Sequence, residues 1–392
     1  MDKRGFLRTL AIAAMAMAML SGCSSVKNMF GGRNKDKTGE PAKLVDFTPS
    51  ASVNKLWSTT VGKGEDLLGI GQQPAVMDGN VYAAAVDGGV SAYALSSGAQ
   101  LWRYESKQAR LSGGPGAGDG LVVVGGLEGQ VVALDAATGQ EKWTAKVGNE
   151  VLSAPAIGGG MVFVHSNDGR VTAFDAGTGA RRWFHSVESP ALTVRGTAGI
   201  TLGPGILFVG GDNGALTALN MNDGNVLWST PVAEADGRTE LERMADVDAA
   251  PVLEGTSLFA SSYKGRTVAI DGPSGQVMWT SDHGGARGVA VSNSAVVVTD
   301  NGGMVVGLDK NSGGSLWQQS GLGNRNVSAP AVQGDYAVVG DRDGVLHWLR
   351  LNDGAFAARS KLGDAIVGRP VVVDGILLVQ SRDGKLAAFA LQ

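Results

Sequence analysis

Few residues of this sequence have the type and spacing that enzyme chemistry requires. The histidines stand apart, without an HExxH motif or a His–Cys spacing that would bind zinc, and each is interpreted as a surface or strand-edge residue. They are His165, His185, His283 and His347. No GxSxG or GxxxxGK[ST] motif occurs, and Asp246 and Asp248 lack the other oxygen ligands of a calcium loop. The sequence therefore predicts no catalytic residue, no metal site and no cofactor.

The single cysteine, Cys23, lies where lipidation would use it. Residues 1–22 have a positively charged start and an apolar run over 10–20 that is short for a membrane span, as in a signal peptide. Segment 20–23, Leu-Ser-Gly-Cys, resembles the lipobox of bacterial lipoproteins, in which the cysteine becomes the lipidated N-terminus. An ordinary cleaved signal with a chance cysteine is the alternative. In the sorting rule of lipoproteins, Ser24 implies the periplasmic side of the outer membrane.

The mature chain is predicted to have two parts. Residues 23–43 comprise the lipidated cysteine and a polar stretch rich in Gly, Lys and Asn, which has little apolar surface to bury and is predicted to be a flexible tether. Residues 44–392 are predicted to form one domain. The 60 glycines, without a collagen period, indicate many short strands joined by tight turns. A net charge of −4 gives no basic surface for nucleic acid, so no nucleic-acid partner is predicted.

A repeat of about 40 residues decides the fold class. Each copy has short apolar strands, a turn glycine and, fourteen residues after that glycine, a tryptophan. The tryptophans, interpreted as packing residues between repeats, are Trp102, Trp143, Trp183, Trp228, Trp279 and Trp317, with Trp57 near the N-terminus. The seventh copy has Ala358 in that place, and the eighth reaches the end of the chain first.

Four antiparallel strands repeated at this period are typical of propeller blades. The last copy, from Pro370, has only three strands, and the missing outer strand is present near the N-terminus around Trp57. The sequence therefore predicts an all-β, eight-bladed β-propeller of four-stranded antiparallel blades, with the last blade closed by the N-terminal strand. Such closure pins both ends of the chain and removes a free sheet edge.

The unit at residues 133–143, Ala-Leu-Asp-Ala-Ala-Thr-Gly-Gln-Glu-Lys-Trp, resembles the PQQ-type propeller repeat with its tryptophan-docking motif. The resemblance runs from about residue 52 to 392. Two families share this blade, the quinoprotein dehydrogenases and the BamB outer-membrane assembly lipoproteins. The lipobox, the length and the lack of extra domains favour the second family. The first uses a vicinal cysteine pair and calcium, which a chain with one cysteine cannot supply.

Two connections between repeats resemble the loops through which BamB lipoproteins bind the POTRA domains of BamA. One contains residues 189–196, and the other, the unusually long connection from Trp228 to Pro251, contains residues 240–251. The resemblance places partner-binding residues at Leu192, Val194, Arg195, Asp246 and Asp248. Both connections follow outer strands, which predicts that they emerge on the same face and offer apolar anchors beside an arginine. Alternatively, Leu192 and Val194 pack into the blade and the acids merely face water.

The resemblance implies a non-catalytic scaffold of the outer-membrane β-barrel assembly machinery. Its expected partners are the BamA POTRA domains, the other lipoproteins of the BAM complex indirectly, and unfolded outer-membrane proteins. A client-binding module that adds client strands to blade edges is one alternative. A quinoprotein dehydrogenase that uses the quinone cofactor is another, and it is disfavoured by the cysteine count.

Overall fold

The computed structural model describes residues 39–64, 70–106, 110–187, 190, 192–193 and 198–392. The predicted signal peptide (1–22), the predicted lipidation site Cys23 and most of the predicted tether lie outside the described residues. Ala42–Gln392 forms one compact unit. Within the ranges described, no helix is both long enough and apolar enough to cross a membrane.

The strands of the described residues form eight sheets of four, which we number as blades 1 to 8. From the inner to the outer edge, blades 1 to 4 consist of β2 (Ala75–Met77), β3 (Asn80–Ala85), β4 (Gly89–Ala94), β5 (Gln100–Tyr104); β6 (Leu111–Gly118), β7 (Leu121–Gly126), β8 (Gln130–Asp135), β9 (Glu141–Lys146); β10 (Ala156–Gly158), β11 (Met161–Ser166), β12 (Arg170–Asp175), β13 (Arg181–Ser186); β14 (Thr201–Gly203), β15 (Ile206–Gly210), β16 (Ala215–Asn220) and β17 (Val226–Pro231).

Blades 5 to 8 follow the same plan, and blade 8 takes its outer strand from the start of the chain. In the same order they consist of β18 (Val252–Glu254), β19 (Ser257–Ser261), β20 (Thr267–Asp271), β21 (Val277–Ser281); β22 (Val289–Val291), β23 (Ala295–Thr299), β24 (Val305–Asp309), β25 (Ser315–Gln319); β26 (Ala331–Gln333), β27 (Tyr336–Gly340), β28 (Val345–Arg350), β29 (Phe356–Lys361); β30 (Val371–Val373), β31 (Ile376–Gln380), β32 (Lys385–Leu391) and β1 (Val53–Thr60). A one-turn helix, α1 (Glu240–Arg243), lies between β17 and β18.

The eight-bladed fold and its closure by the N-terminal strand are confirmed. β1 pairs antiparallel with β32 from Val53 opposite Leu391 to Thr60 opposite Lys385. This pairing joins residues more than 300 positions apart and covers the outer edge of β32. Blade 8 therefore contains the first and the last strands of the propeller, and its stability depends on both.

The middle strands of each blade are buried on both faces because a neighbouring blade packs on each side. In β11, every residue from Val162 to Ser166 is buried, whereas the outer strand β13 alternates between exposed and half-buried positions. The apolar runs of the sequence are thus the inner layers of a stacked ring, as expected for repeats that bury their faces only against neighbours. Tight hairpins join the strands, for example at Asp78 and Gly79, whose φ values of 52° and 72° suit a type I′ turn.

Each blade tryptophan binds the next blade around the ring. The indole N–H donates to a backbone carbonyl of that blade at 2.7–3.1 Å in all seven cases, from Trp57, Trp102, Trp143, Trp183, Trp228, Trp279 and Trp317. Three residues after each acceptor lies the turn glycine, and a Cβ built on it would lie only 2.4–2.7 Å from the indole ring. The glycine that shapes the hairpin turn therefore also forms the surface on which the neighbouring tryptophan rests.

The junction from blade 7 to blade 8 lacks this pair for a topological reason. In blade 8 no hairpin turn leads to the outer strand, because β1 is the first strand of the propeller in sequence and its partner β32 is the last. Ala358 of β29 takes the tryptophan position and is buried, and the N–H groups of Ser50 and Ala51 donate to the carbonyl of Ala357 at 2.9 and 3.2 Å. The residues before β1 thus occupy the space of the missing turn.

Residues 42–51, which we call the N-terminal arm, cross blade 7 before entering blade 8. The arm begins at the connection between blades 6 and 7, where the Ala42 N–H donates to the Gly323 carbonyl at 2.8 Å. Further along, the ring of Phe47 stacks on that of Phe356 in β29, with centroids 5.7 Å apart. The arm is therefore fixed to the propeller along its length.

Candidate partner-binding site

Two neighbouring connections form the candidate site. The first, residues 187–200, joins β13 of blade 3 to β14 of blade 4, and the second, residues 232–251, joins β17 of blade 4 to β18 of blade 5. Because both lead from an outer strand to the inner strand of the next blade, they emerge on the same face of the ring. The connection in which the N-terminal arm begins has the same topology, so it lies on that face too.

The structure describes only part of the first connection. Leu192 is 44% exposed, so this side chain is available to a partner and does not pack into the blade. Val194 and Arg195 lie outside the described residues.

The second connection holds a small ordered unit around α1. Thr239 caps the helix by accepting the Glu242 N–H, while the Glu242 carboxylate accepts the N–H groups of Thr239 and Arg238. Leu241 at the centre of this unit is 66% exposed, the highest value among the large exposed apolar side chains of the described residues. A rigid, capped turn that presents an apolar side chain is well suited to bind a partner, because little ordering entropy remains to be lost. The sequence interpretation did not single out Leu241.

The end of the second connection is anchored in the blades. Val247 is buried, and its N–H donates to the Gly211 carbonyl at 3.2 Å. A Cβ on Gly210 would lie 2.2 Å from the Val247 carbonyl oxygen, so glycine is required for this close approach. The Tyr263 N–H of blade 5 donates to the Asp246 carbonyl at 2.8 Å. The connection is therefore fixed to blades 4 and 5 at once.

The structure places both predicted acids inside the protein. Asp246 has no exposed surface, and its carboxylate is therefore not presented to a partner, contrary to the expectation from the sequence. The two carboxylate oxygens of Asp248 are also buried, and neither has a hydrogen-bond partner among the described residues. Burial, and then the charges of Asp246 and Asp212, raise the pKa of Asp248 well above its ordinary value, against the opposing effect of Arg287. Ionisation of Asp248 is thus disfavoured in the folded protein.

Replacing Asp248 by asparagine is expected to stabilise the protein at neutral pH. Because the pKa of Asp248 is raised in the folded protein, the folded protein binds more protons than the unfolded chain at pH values above the ordinary pKa of 3.8. Asp248 therefore lowers the stability of the protein as pH rises from 3.8 towards its folded-state pKa. Asparagine has nearly the same shape and removes this loss. Urea denaturation at about pH 4 and about pH 8 should show a smaller fall for the variant.

The exposed Asp282, replaced by asparagine, is the control for that experiment because its side chain is 94% exposed. It should leave the pH dependence of stability unchanged. If the Asp248→Asn and wild-type proteins lose stability equally between the two pH values, Asp248 is ionised in the folded state.

His165 holds the end of the first connection. It is buried in β11, and its Nδ1 lies 2.9 Å from the Ala198 carbonyl, which requires the proton on Nδ1. Burial lowers its pKa, so the ring stays neutral and keeps this tautomer. His347 is buried as well, so the interpretation of the histidines as surface or strand-edge residues is wrong for both. A signal was present, because each stands inside an apolar run that forms a middle strand with buried inner positions.

Changing His165 to alanine is expected to loosen residues 187–200. The buried carbonyl of Ala198 would lose its donor, at a cost of roughly 1–3 kcal/mol. Amide hydrogen exchange should therefore accelerate in 187–200 and stay unchanged in 232–251. His185 on the outer strand of the same blade, changed to alanine, is the control. Equal exchange in both variants would mean that His165 does not hold the connection.

Comparison with known proteins identifies the family. The family model described as "Outer membrane protein assembly factor BamB" matches residues 86–319 and 301–392. A protein of that name from Xanthomonas campestris pv. campestris is 57% identical, over 98% of each chain. This chain belongs to the BamB family. The Escherichia coli BamB is 38% identical over 96% of this chain and 98% of its own length.

The solved structures agree with this BamB assignment. The crystal structure of BamB from Moraxella catarrhalis has a TM-score of 0.79 and 28% identity, and it covers 86% of this chain and all of the other. A quinohemoprotein alcohol dehydrogenase from Comamonas testosteroni has a TM-score of 0.69 at 16% identity, which shows a shared propeller fold alone. No group of three or more His, Cys, Asp or Glu side chains in the described part of this chain is placed to hold a metal ion.

Proposed function

We propose that this chain is a non-catalytic scaffold lipoprotein of the outer-membrane β-barrel assembly machinery, which docks on the POTRA domains of BamA. The name of its relatives, outer membrane protein assembly factor, supports the assembly role. We further propose that the lipobox anchors the chain at Cys23 to the periplasmic face of the outer membrane, and that the other BAM lipoproteins are indirect partners.

The observation that carries the docking proposal is the pair of connections, 187–200 and 232–251, on one face of adjacent blades. Both are fixed at their ends, by His165 in one case and by Gly211 in the other. Both present an exposed leucine, Leu192 and Leu241. Apolar anchors on a preorganised surface are the usual source of binding energy between proteins. Val194 and Arg195, on the first connection, complete the proposed contact.

Asp246 and Asp248 enter this proposal in a changed role. A buried, hydrogen-bond-deficient acid such as Asp248 costs stability, and such residues are kept where function uses them. A donor from the partner would satisfy the Asp248 oxygens, while Asp246, fully buried, would shape the connection that presents Leu241. Arg195, as a guanidinium, would bind a carboxylate of the partner.

The test is co-purification of BamA from detergent-solubilised membranes with tagged chain. Leu192→Asp and Leu241→Asp should each reduce the recovered BamA about tenfold or more, and Arg195→Glu should act in the same direction, because each removes or repels an anchor. Leu101→Asp on the outer strand of blade 1 is the matched control, since Leu101 is 51% exposed but lies far from both connections in the ring. Full recovery with all three variants would refute docking at this face.

We propose the rim of blades 4 and 5 as the surface for unfolded outer-membrane proteins. The outer strands β17 and β21 expose apolar side chains that are 45–56% accessible: Val226, Leu227, Val277 and Met278. Their outer edges are unpaired in the blades, so a client strand could add to them by β-augmentation. Photo-crosslinkers at Leu227 and Met278 should capture nascent barrels, while a crosslinker at Glu141 on blade 2 should not. Capture only from the connections 187–200 and 232–251 would contradict this surface.

A further inference from the structure

Residues 234–243, which we call the lobe, are the part of the second connection that projects from the propeller. Every residue of the lobe is exposed, whereas Val232 and Ala233 before it and residues 244–247 after it are buried. The lobe includes α1 and carries Leu241. A segment without a buried side chain gains little from the hydrophobic effect, so its order must come from other contacts.

The buried residues on either side of the lobe are fixed to blade 4. The N–H groups of Val232 and Ala233 donate to the Gly214 carbonyl at 2.9 and 3.2 Å. A Cβ on Gly214 would lie 2.5 Å from the Ala233 carbonyl oxygen and 2.8 Å from the Ala245 Cβ, so the chain lies against this glycine both before and after the lobe. These contacts with blade 4 fix the two ends of the lobe but not the lobe itself.

Lys264 supplies contacts within the lobe. It lies between β19 and β20 of blade 5, and its Nζ donates to the carbonyls of Glu234 at 2.9 Å and Asp236 at 2.7 Å. The same ammonium group forms an ion pair with the Asp236 carboxylate. Within the described part of the chain, no other blade residue forms a hydrogen bond or an ion pair with residues 234–240. One side chain therefore makes the polar attachment of the first half of the lobe to the propeller.

The turn that contains Lys264 also binds the chain after the lobe. The Tyr263 N–H donates to the Asp246 carbonyl at 2.8 Å. The Tyr263 carbonyl in turn accepts a hydrogen bond from Asn301 Nδ2 of blade 6 at 2.8 Å. One turn of blade 5 thus contacts both sides of the lobe, and this turn is itself fixed to the next blade.

The position of Asp236 determines that of the capped turn, because Gly237 packs directly on α1. The Gly237 carbonyl accepts Arg243 Nε at 3.1 Å, and a Cβ on Gly237 would lie 2.4 Å from the Glu242 Cβ. The φ of Gly237 is 145°, a conformation that favours glycine. Since α1 lies this close to the residue after Asp236, fixing Asp236 also fixes the direction in which Leu241 projects.

We propose that Lys264 is a positioning residue of the docking surface, which holds the lobe so that Leu241 is presented to the partner. The inference rests on the proposed docking function and adds to it a residue of blade 5 that lies outside both connections. Two of the Lys264 contacts are with backbone carbonyls, and the ion pair contributes little because the Asp236 side chain is 76% exposed. Lys264 therefore acts mainly on the main chain of the lobe. Fixing the lobe before binding reduces the entropy that is lost when the partner binds.

Lys264→Met tests this role, because methionine keeps an unbranched apolar side chain but lacks the ammonium group. In the purified full chain, amide exchange of residues 238–243 should accelerate about tenfold, while the melting temperature stays that of the wild type because the lobe contributes no buried side chain. Recovery of BamA with the tagged chain should fall about fivefold. Lys264→Arg keeps a charged group with several N–H donors and should return both values to within about twofold of the wild type.

Two controls separate the lysine from its partners. Asp236→Asn should leave exchange of 238–243 slow, because both carbonyls that accept from Lys264 remain. Lys310→Met removes another lysine that links neighbouring blades, through an ion pair with Glu254 at 2.6 Å, and should change neither exchange in 238–243 nor recovery of BamA.

The proposal is overturned if Lys264→Met matches the wild type in exchange of 238–243 or in recovery of BamA. It is also overturned if Lys264→Arg loses as much as Lys264→Met. Exchange is measured without a partner, so it tests the hold of Lys264 on the lobe even where Leu241→Asp shows that docking does not use this face. The two proposals can therefore fail separately.

Discussion

Replacing Trp143 by alanine is expected to lower the free energy of unfolding by about 3–5 kcal/mol, as for other large aromatic side chains removed from a core. Trp143 is 8% exposed and packs on Phe174 of the next blade, with ring centroids 6.1 Å apart. Its indole N–H donates to the Ala176 carbonyl at 2.8 Å, and its ring covers Gly179. The variant would lose all three interactions and leave a cavity between blades 2 and 3. Urea denaturation followed by tryptophan fluorescence and circular dichroism measures the change.

Trp143→Phe separates the hydrogen bond from the packing. Phenylalanine keeps much of the ring but leaves the Ala176 carbonyl without its donor, so we expect a loss of roughly 1–3 kcal/mol. Lys142→Ala is the matched control on the same strand, because its exposed ion pair with Asp135 at 3.6 Å contributes little. If Trp143→Ala and Lys142→Ala unfold at the same urea concentration, the tryptophans do not hold the blades together.

The fold could be predicted because its main interaction is local in sequence and recurs. The turn glycine, the tryptophan and the strands between them stand at fixed spacing, so one blade explains the rest. The repeat that lacks a tryptophan is explained as well. Ala358 is buried in blade 7 next to blade 8, in which no hairpin turn leads to the outer strand. Ring closure could be predicted because the last repeat has only three strands and an additional strand, around Trp57, precedes the first repeat.

The candidate site could be predicted only in part, because its details occur once. The N-terminal arm and the connection 232–251 match no repeat, so nothing in the periodicity tells which of their side chains are buried. Asp246 and Asp248 look like surface acids in the sequence. Their burial follows from the position of Val247 between them, which packs against Gly210 and donates its N–H to the Gly211 carbonyl. The capped turn that exposes Leu241 follows from a Thr-x-x-Glu pattern that could have been recognised.

Changing Asp341 to alanine is expected to destabilise the protein by about 3–5 kcal/mol and to release the N-terminal arm. Asp341 is fully buried in blade 7, where its Oδ2 accepts Arg325 Nε at 2.7 Å and lies 3.0 Å from His347 Nε2. Without it, Arg325 is a buried charge that lacks its buried partner. Arg325 also donates through Nη1 to the Ala42 carbonyl at 2.9 Å, so the start of the arm depends on its position.

The network continues through His347 to the middle of the arm. Arg359 Nε donates to His347 Nδ1 at 3.1 Å, which requires a neutral ring with its proton on Nε2, facing Asp341. Arg359 in turn donates to the Val45 carbonyl at 2.6 Å, and its guanidinium lies over the Phe47 ring, 4.8 Å from the centroid. Two arginines, both oriented through one buried carboxylate, thus hold the arm.

The pH dependence of this network has a definite sign. Burial lowers the pKa of His347, and the charges of Arg359 and Arg325 add to this effect, while Asp341 opposes it. Below the ordinary pKa of 6.5 the unfolded chain therefore binds more protons than the folded protein, so stability falls as pH drops below that value. Burial alone would raise the pKa of Asp341, but hydrogen bonds from His347, the Val345 N–H and Arg325 outweigh it and lower the pKa to about 2. The contribution of Asp341 is therefore complete above 3.8 and is lost as pH falls towards about 2.

Asp343→Ala is the control that isolates burial from charge. Asp343 accepts a hydrogen bond from the same Arg325 at 2.5 Å, but its side chain is 54% exposed, so its removal should cost less than about 1 kcal/mol. Hydrogen exchange of residues 42–47 should accelerate in Asp341→Ala and stay slow in Asp343→Ala, and Asp341→Asn should lie between them. Because the arm joins the connection between blades 6 and 7, its release would free residues 42–47 from blade 7. Slow exchange of 42–47 in all three variants would show that β1 pairing alone fixes the arm.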